Sequence, residues 1–234
     1  MPAITGIGVT SALGDGMRQC CAALRGGLTR VAQTERYLLK GKDPNADLEP
    51  LQAAAAPAVD ADARAAERLH QLAFPALNEA VASCGLSRLD LAEASLHLAL
   101  PGASRPGYAG LADHFPADFV RRAGLSPFAQ VTVSRAGHSG IVEGVAAALF
   151  FLQRRPQASA VVLAVDSLLD RDTLGWLDAR DRLKCSRNPE GIAVGEAAVA
   201  LVIERTRTAE ARRAKLYATI DAHGAAREEA TVFS

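Results

Sequence analysis

Apolar residues fall along the chain in two alternating rhythms, a period of two and a spacing of three to four, and they predict strands and helices in turn. "AITGIGVTS" near the start mixes β-branched residues with glycines and predicts a strand. "GMRQCCAALRGG" then predicts a helix stopped at Gly26 and Gly27. Residues 30–62 sustain neither rhythm and are expected to form a variable surface excursion. Beyond it, Leu69, Leu72, Leu77, Ala80 and Val81 share one helix face, with Pro75 as an expected kink and Gly85 as the stop. A short strand "ASLHLALPG" follows, then one broken or two short helices in "GYAGLADHFPADFVRRAG", then an alternating strand "AQVTVS".

The turn "AGHSG" leads from that strand into a helix predicted over residues 139–153. Glu143 is its one charge before the C-terminal arginines, so this helix is expected to be buried on all sides rather than along one stripe. "ASAVVLAVDS" is a continuous apolar run, as in the covered strand of an α/β sheet. "EAAVALVIERT" and "KLYATIDAHG" predict two further strands around the charged stretch "RTAEARRAK".

Length and composition fit one domain over residues 1–234: 234 residues, 49% hydrophobic, suffice for a large buried core. Lys+Arg and Asp+Glu both total 26, so no long-range field recruits nucleic acid or an anionic membrane, and neither is expected as a partner. The N-terminus lacks a basic segment followed by a long apolar core, and no apolar run reaches about 20 residues. A cytoplasmic protein is expected. Cys20, Cys21, Cys84 and Cys185 form no C-x-x-C pair, and His70, His97 and His114 sit in unrelated contexts, so neither a metal site nor a disulfide framework is expected. "GIGVTSALGDG" has G-x-G without a Walker lysine or the full dinucleotide fingerprint, and no cofactor is expected.

One local pattern suggests chemistry. Strand, Gly137-His138-Ser139 and helix follow the order of a hydrolase nucleophile elbow, with Asp166 and His223 downstream in the order Ser, Asp, His. The elbow, however, wants glycine two residues after the serine, and Ile141 stands there. The interval from Ser139 to Asp166 is also too short for another βα unit. His138 alone reads more simply as a helix-start residue.

Several segments together resemble the beta-ketoacyl-acyl carrier protein synthases of the thiolase-like fold. They are "AITGIGVTSALGDG", "ALRGGL", "AERLHQLAFPALNEAVASCGL", the run "VTVSRAGHSG" with its apolar helix, "SAVVLAVDS" and "NPEGIAVGEAAVALVIERTRTAEARRAKLYATIDAHG". The resemblance implies an α/β thiolase-like half-fold with a mixed, mostly parallel five-stranded sheet and helices on both faces. That family carries a nucleophilic cysteine in this turn, between an alanine and a small residue followed by serine and glycine. Laying Ala136, Ser139 and Gly140 on that pattern puts Gly137 at the cysteine position. Ile192 stands where the family often has an aromatic gate, and Ala197 replaces the glycine after Gly195-Glu196. The second half, which brings the decarboxylation residues, would be expected to begin near "REEATVFS".

The resemblance therefore implies a degenerate condensing enzyme that acts by protein binding. With no counterpart helix in the chain, Val142, Val145, Leu149, Phe150 and Leu152 would present an apolar face to a protein partner or a second copy. Small synthase-like proteins in type VI secretion clusters suggest an adaptor or chaperone-like role toward an effector. Two alternatives stand beside it: a subunit of a split synthase, binding acyl chains or an acyl carrier protein, and a serine hydrolase using Ser139.

Overall fold

The computed structural model describes residues 1–41, 48–87, 90–125, 127–224 and 226. In chain order the elements are β1 (Pro2–Ser11), β2 (Gly14–Asp15), α1 (Met17–Arg25), β3 (Ala32–Leu39), β4 (Glu49–Ala54) and α2 (Ala65–Cys84). Then come β5 (Ser95–Ala99), α3 (Leu111–Arg122), β6 (Gln130–Ser134), α4 (Gly140–Arg154) and β7 (Ser159–Ser167). α5 (Arg171–Asp178), β8 (Val194–Arg205), α6 (Thr206–Ala211) and β9 (Ala218–Thr219) complete the order.

The backbone of the molecule is a mixed sheet in the order β1-β8-β7-β5-β6. β8 runs antiparallel to both β1 and β7, whereas β5 runs parallel to β7 and β6, so four of these five strands share one direction. Among the described residues the full sheet has nine strands rather than the expected five. β2 and β9 are two-residue additions to β1, and the β3–β4 hairpin joins through β4, which pairs parallel with two residues of β8. Such short pairings leave too few alternating positions to stand out in a sequence.

That hairpin corrects the expectation of a surface excursion at residues 30–62. Leu39, Leu51 and Ala53 are buried with Leu174, Leu177 and Val194 in a small core of their own. The alternation was hidden because β3 is mostly exposed and its register with β4 shifts between Thr34 and Leu38. Residues 42–47 of the expected excursion lie outside the described residues.

Helices cover both faces. Alternate residues of β7 show the division: Val161, Leu163 and Val165 join the large core with α2 and α3, while Ala160 and Val162 join the core beneath α4. α2 runs through Pro75 as one 20-residue helix whose buried face includes Leu69, Leu72, Ala76 and Leu77. α3 is likewise one helix, not two. Its Pro116 removes a single helical hydrogen bond, and buried Phe115 and Phe119 anchor the turns on either side of it. "KLYATIDAHG" contributes only the two-residue β9, with Tyr217 and Ile220 donating their amides to β1 carbonyls.

Candidate functional site

β6 ends at Ser134, and a turn of 3₁₀ helix over Gly137–Ser139 carries the chain into α4. Arg135 fixes this turn. Its guanidinium donates to the carbonyls of Pro101 (2.6 Å), Gly102 (3.2 Å) and Tyr108 (2.8 Å), binding the end of β6 to the loop after β5. Burial lowers the pKa of that guanidinium below its ordinary value. Ser134 Oγ donates to Glu143 at 2.5 Å and accepts from Ala136 N at 3.2 Å, which ties the turn to the first turn of α4.

α4 approaches the sheet closely at Gly144. A Cβ there would lie 2.9 Å from Val162 Cγ1, so only glycine fits without displacing β7. Gly137 is the opposite case. Its φ of 63° lies in the left-handed region, yet a Cβ built on it would meet no atom within 4 Å. The position is strained for a side chain but spatially open to one. Gly137 lines a cavity of about 210 Å³ with Ala99, His138, Ile141, Asp166 and Ala197.

The carboxylate at this cavity is committed elsewhere. Asp166, at the end of β7, is ion-paired with Arg105, whose guanidinium also lies over the Tyr108 ring at 5.9 Å from its centroid. Tyr108 donates its hydroxyl to Ser167 O at 3.0 Å, and burial pushes its phenol well above the ordinary value. Ser139 Oγ donates to Ala136 O at 3.2 Å. His138 shares the cavity wall with Asp166, and both His138 and Ser139 are exposed. His223 is exposed, lies outside that wall, and among the described residues no histidine is hydrogen-bonded to Ser139. The Ser139, Asp166 and His223 order read in the sequence is thus not assembled into a relay: Asp166 faces an arginine instead of a histidine.

The helix after the turn is not buried on all sides. Gly140, Gly144, Ala148, Phe151 and Leu152 are buried, whereas Val142, Val145 and Leu149 are half-buried and Phe150 is 54% exposed. Small and apolar residues ring the helix, but this chain covers only the side that meets β5 and β7. Leu152 departs from the expected apolar face: at 1% exposure it packs into the core with Val162 and Ile203. The face that remains centres on Val142 and Phe150, with Val145 and Leu149 at its edge, half-buried against the core, and Arg154 stacked 4.4 Å from the Phe150 ring centroid.

Sequence reading passed over Arg135 and Arg105, the two cations that organise the site. An arginine directly after an alternating strand was the available signal for Arg135. Nothing local marks Arg105, because its partner is distant in sequence.

This topology, with one strand reversed among five and a glycine-bearing turn feeding a helix on the sheet, is the ketosynthase fold of the thiolase-like type. No protein-family model and no curated protein matches the sequence. Among solved structures, the chain is similar to a point mutant of the ketosynthase from module 6 of the bacillaene synthase of Bacillus subtilis 168 (16% identity, TM-score 0.68). It is also similar to a type II PKS acyl-carrier protein in complex with its ketosynthase bound to the hexaketide (16%, TM-score 0.67) and to the ishigamide ketosynthase/chain length factor (21%, TM-score 0.65). Each similarity covers 92% of this chain, but 42%, 60% and 60% of those chains respectively, so this chain spans roughly half the length of its structural neighbours. Among the described residues, no helix is long and apolar enough to cross a membrane.

Proposed function

We propose that this chain is a ketosynthase-like protein that does not condense acyl groups and acts by binding another protein. Gly137 carries the reading. It occupies the turn between β6 and α4 with open space where a nucleophilic side chain would project, and it supplies no thiolate to accept an acyl group. Among the described residues, no histidine is hydrogen-bonded to Ser139 in its place.

Binding falls to the outer face of α4, where Val142, Val145, Leu149 and Phe150 form an apolar strip that a protein partner or a second copy covers. An adaptor or chaperone-like role toward a type VI secretion effector is the setting in which such a surface would serve. The test has two arms. Incubated with malonyl and acyl thioesters, the protein yields neither carbon dioxide nor a covalent acyl adduct; decarboxylation abolished by changes in the Gly137 turn overturns the non-enzymatic reading. Phe150→Asp, at a position largely exposed in this chain, leaves the fold intact but abolishes partner or self association. Unchanged assembly overturns the role of α4. Partners captured from the native host by co-purification and mass spectrometry include an effector-associated protein; recovery of other proteins alone removes the secretion setting.

The cavity beside Gly137 favours a second reading, a subunit of a split synthase that binds an acyl chain or an acyl carrier protein. A related ketosynthase is in complex with an acyl-carrier protein, and another structure is a ketosynthase/chain length factor. Saturable binding of an acyl carrier protein, together with a stable complex with a synthase subunit, supports it. Absence of both removes it.

A further inference from the structure

A cavity of about 640 Å³, within the range of small-molecule sites, lies away from both the Gly137 turn and α4. The β3–β4 hairpin, residues 55–64, the start of α2 and α5 enclose it. Its apolar lining comes from Leu51, Ala53, Val59, Leu169 and Leu174, of which Leu51, Ala53 and Leu174 are buried.

Guanidinium groups outnumber carboxylates in the cavity wall. Arg36 on β3, Arg64 before α2 and Arg171 at the start of α5 all line it, and all three are exposed. Among the described residues none of the three has an ion-pair partner. The other charged groups of the wall are occupied or outnumbered. Arg68 and Glu196 neutralise one another at 2.8 Å, and Asp170 accepts from Asp172 N at 3.0 Å as the cap of α5. Asp62 and Asp170 are the remaining carboxylates, set against three guanidinium groups. Three exposed arginines from three separate elements line a hollow whose wall is partly apolar, and together they form a site for an oxyanion attached to an apolar body, because the guanidinium fork matches carboxylate and phosphate oxygens.

We infer that this cavity binds an amphipathic organic anion, a carboxylate or phosphate monoester carried on an aliphatic chain, with the headgroup held by Arg36, Arg64 and Arg171. The inference is independent of the proposed function, since no residue of the α4 face or of residues 136–140 lines the cavity.

Isothermal titration with decanoate and with decyl phosphate, each below its micellar concentration, tests it. At least one of them binds at one site per chain, and the tighter of the two identifies the headgroup as carboxylate or phosphate. Decanol and inorganic phosphate bind at least about tenfold more weakly, as each lacks half of the recognised chemistry. The triple variant Arg36→Gln, Arg64→Gln, Arg171→Gln keeps the melting behaviour of the native chain, because all three side chains are exposed, and loses about tenfold or more in affinity. Binding of the native chain weakens as salt rises. Decanol binding as tightly as the anions, a triple variant with native affinity, salt-independent binding, or no binding of either amphiphile overturns the inference.

Discussion

Arg68 on α2 donates from Nη1 to Glu196 Oε2 on β8 at 2.8 Å, and the two side chains are 4% and 0% exposed. Further hydrogen bonds surround this pair. Glu196 accepts from Ala56 N at 3.1 Å and Ser167 Oγ at 2.8 Å, while Arg68 also donates to the carbonyls of Asp60, Ala61 and Ala63. One buried ion pair thereby joins α2, β7, β8 and the segment before α2. Removing one member leaves the other charge buried and unpaired, which costs more than the pair contributes. Glu196→Ala is expected to lose about 3–5 kcal/mol in urea denaturation. The double change Arg68→Met with Glu196→Leu recovers much of that loss; a double variant no more stable than the single one contradicts this account.

Gly137→Cys places a thiol where space is open but φ is positive. The strain costs about 1 kcal/mol, so the variant folds with a slightly lower melting temperature. Cys20, Cys84 and Cys185 are buried, and Cys21 is half-buried. A new fast phase of thiol labelling with a disulfide reagent, absent from the native chain, is the expected readout. No additional reactive thiol would mean that residue 137 does not face the cavity.

His97 is fully buried on β5, with Nε2 2.8 Å from Ser95 Oγ and Nδ1 2.7 Å from Thr132 Oγ1. Both partners are hydroxyls, so no carboxylate there compensates a positive imidazole, and burial lowers its pKa to about 4. The folded state therefore binds fewer protons than the unfolded state between that value and the ordinary one of about 6.5. Stability is complete above about 6.5 and falls as pH drops through this window, by an amount on the order of 2–3 kcal/mol. His70, also lowered by burial, adds a loss of the same sign. Unfolding free energies measured across pH 4–8 on the native chain and on His97→Gln should differ in slope below pH 6.5. Identical slopes refute the assignment to His97.

Gly144→Leu pushes a side chain toward Val162, whose Cγ1 already lies 2.9 Å from the position of the first added carbon. Overpacking of this kind costs about 1–3 kcal/mol and separates α4 from β7. Faster exchange of the β7 amides is the accompanying signature, and a variant as stable as the native chain would show that the helix has room to move outward.

The main architecture was legible where one period ran long enough to dominate. β1, β7 and β8 span 10, 9 and 12 residues, and α2 and α4 span 20 and 15, so their rhythms survive local exceptions. The β3–β4 hairpin was hidden because few of its residues are buried and a register shift interrupts their alternation. α4 was misjudged for a different reason. An apolar composition tells that a helix wants cover, not whether its own chain supplies it. Gly137 stands out only against the pattern of the family that the sequence resembles, because a glycine in a turn carries no signal of its own. Arg105 with Asp166 and Arg68 with Glu196 are separated too widely in sequence for spacing to connect them.

Arg135 holds the Gly137 turn through three main-chain oxygens outside the turn, none of which depends on the side chain at 137. The shape of the turn and the chemistry it presents are therefore separable in evolution. A lineage could lose or regain a reactive group at this one codon while the surrounding bracket stayed intact, with asparagine and aspartate as the tolerated intermediates because they accept a left-handed backbone. In a library randomised at position 137, polar short side chains should persist and β-branched ones should vanish, whatever the protein binds.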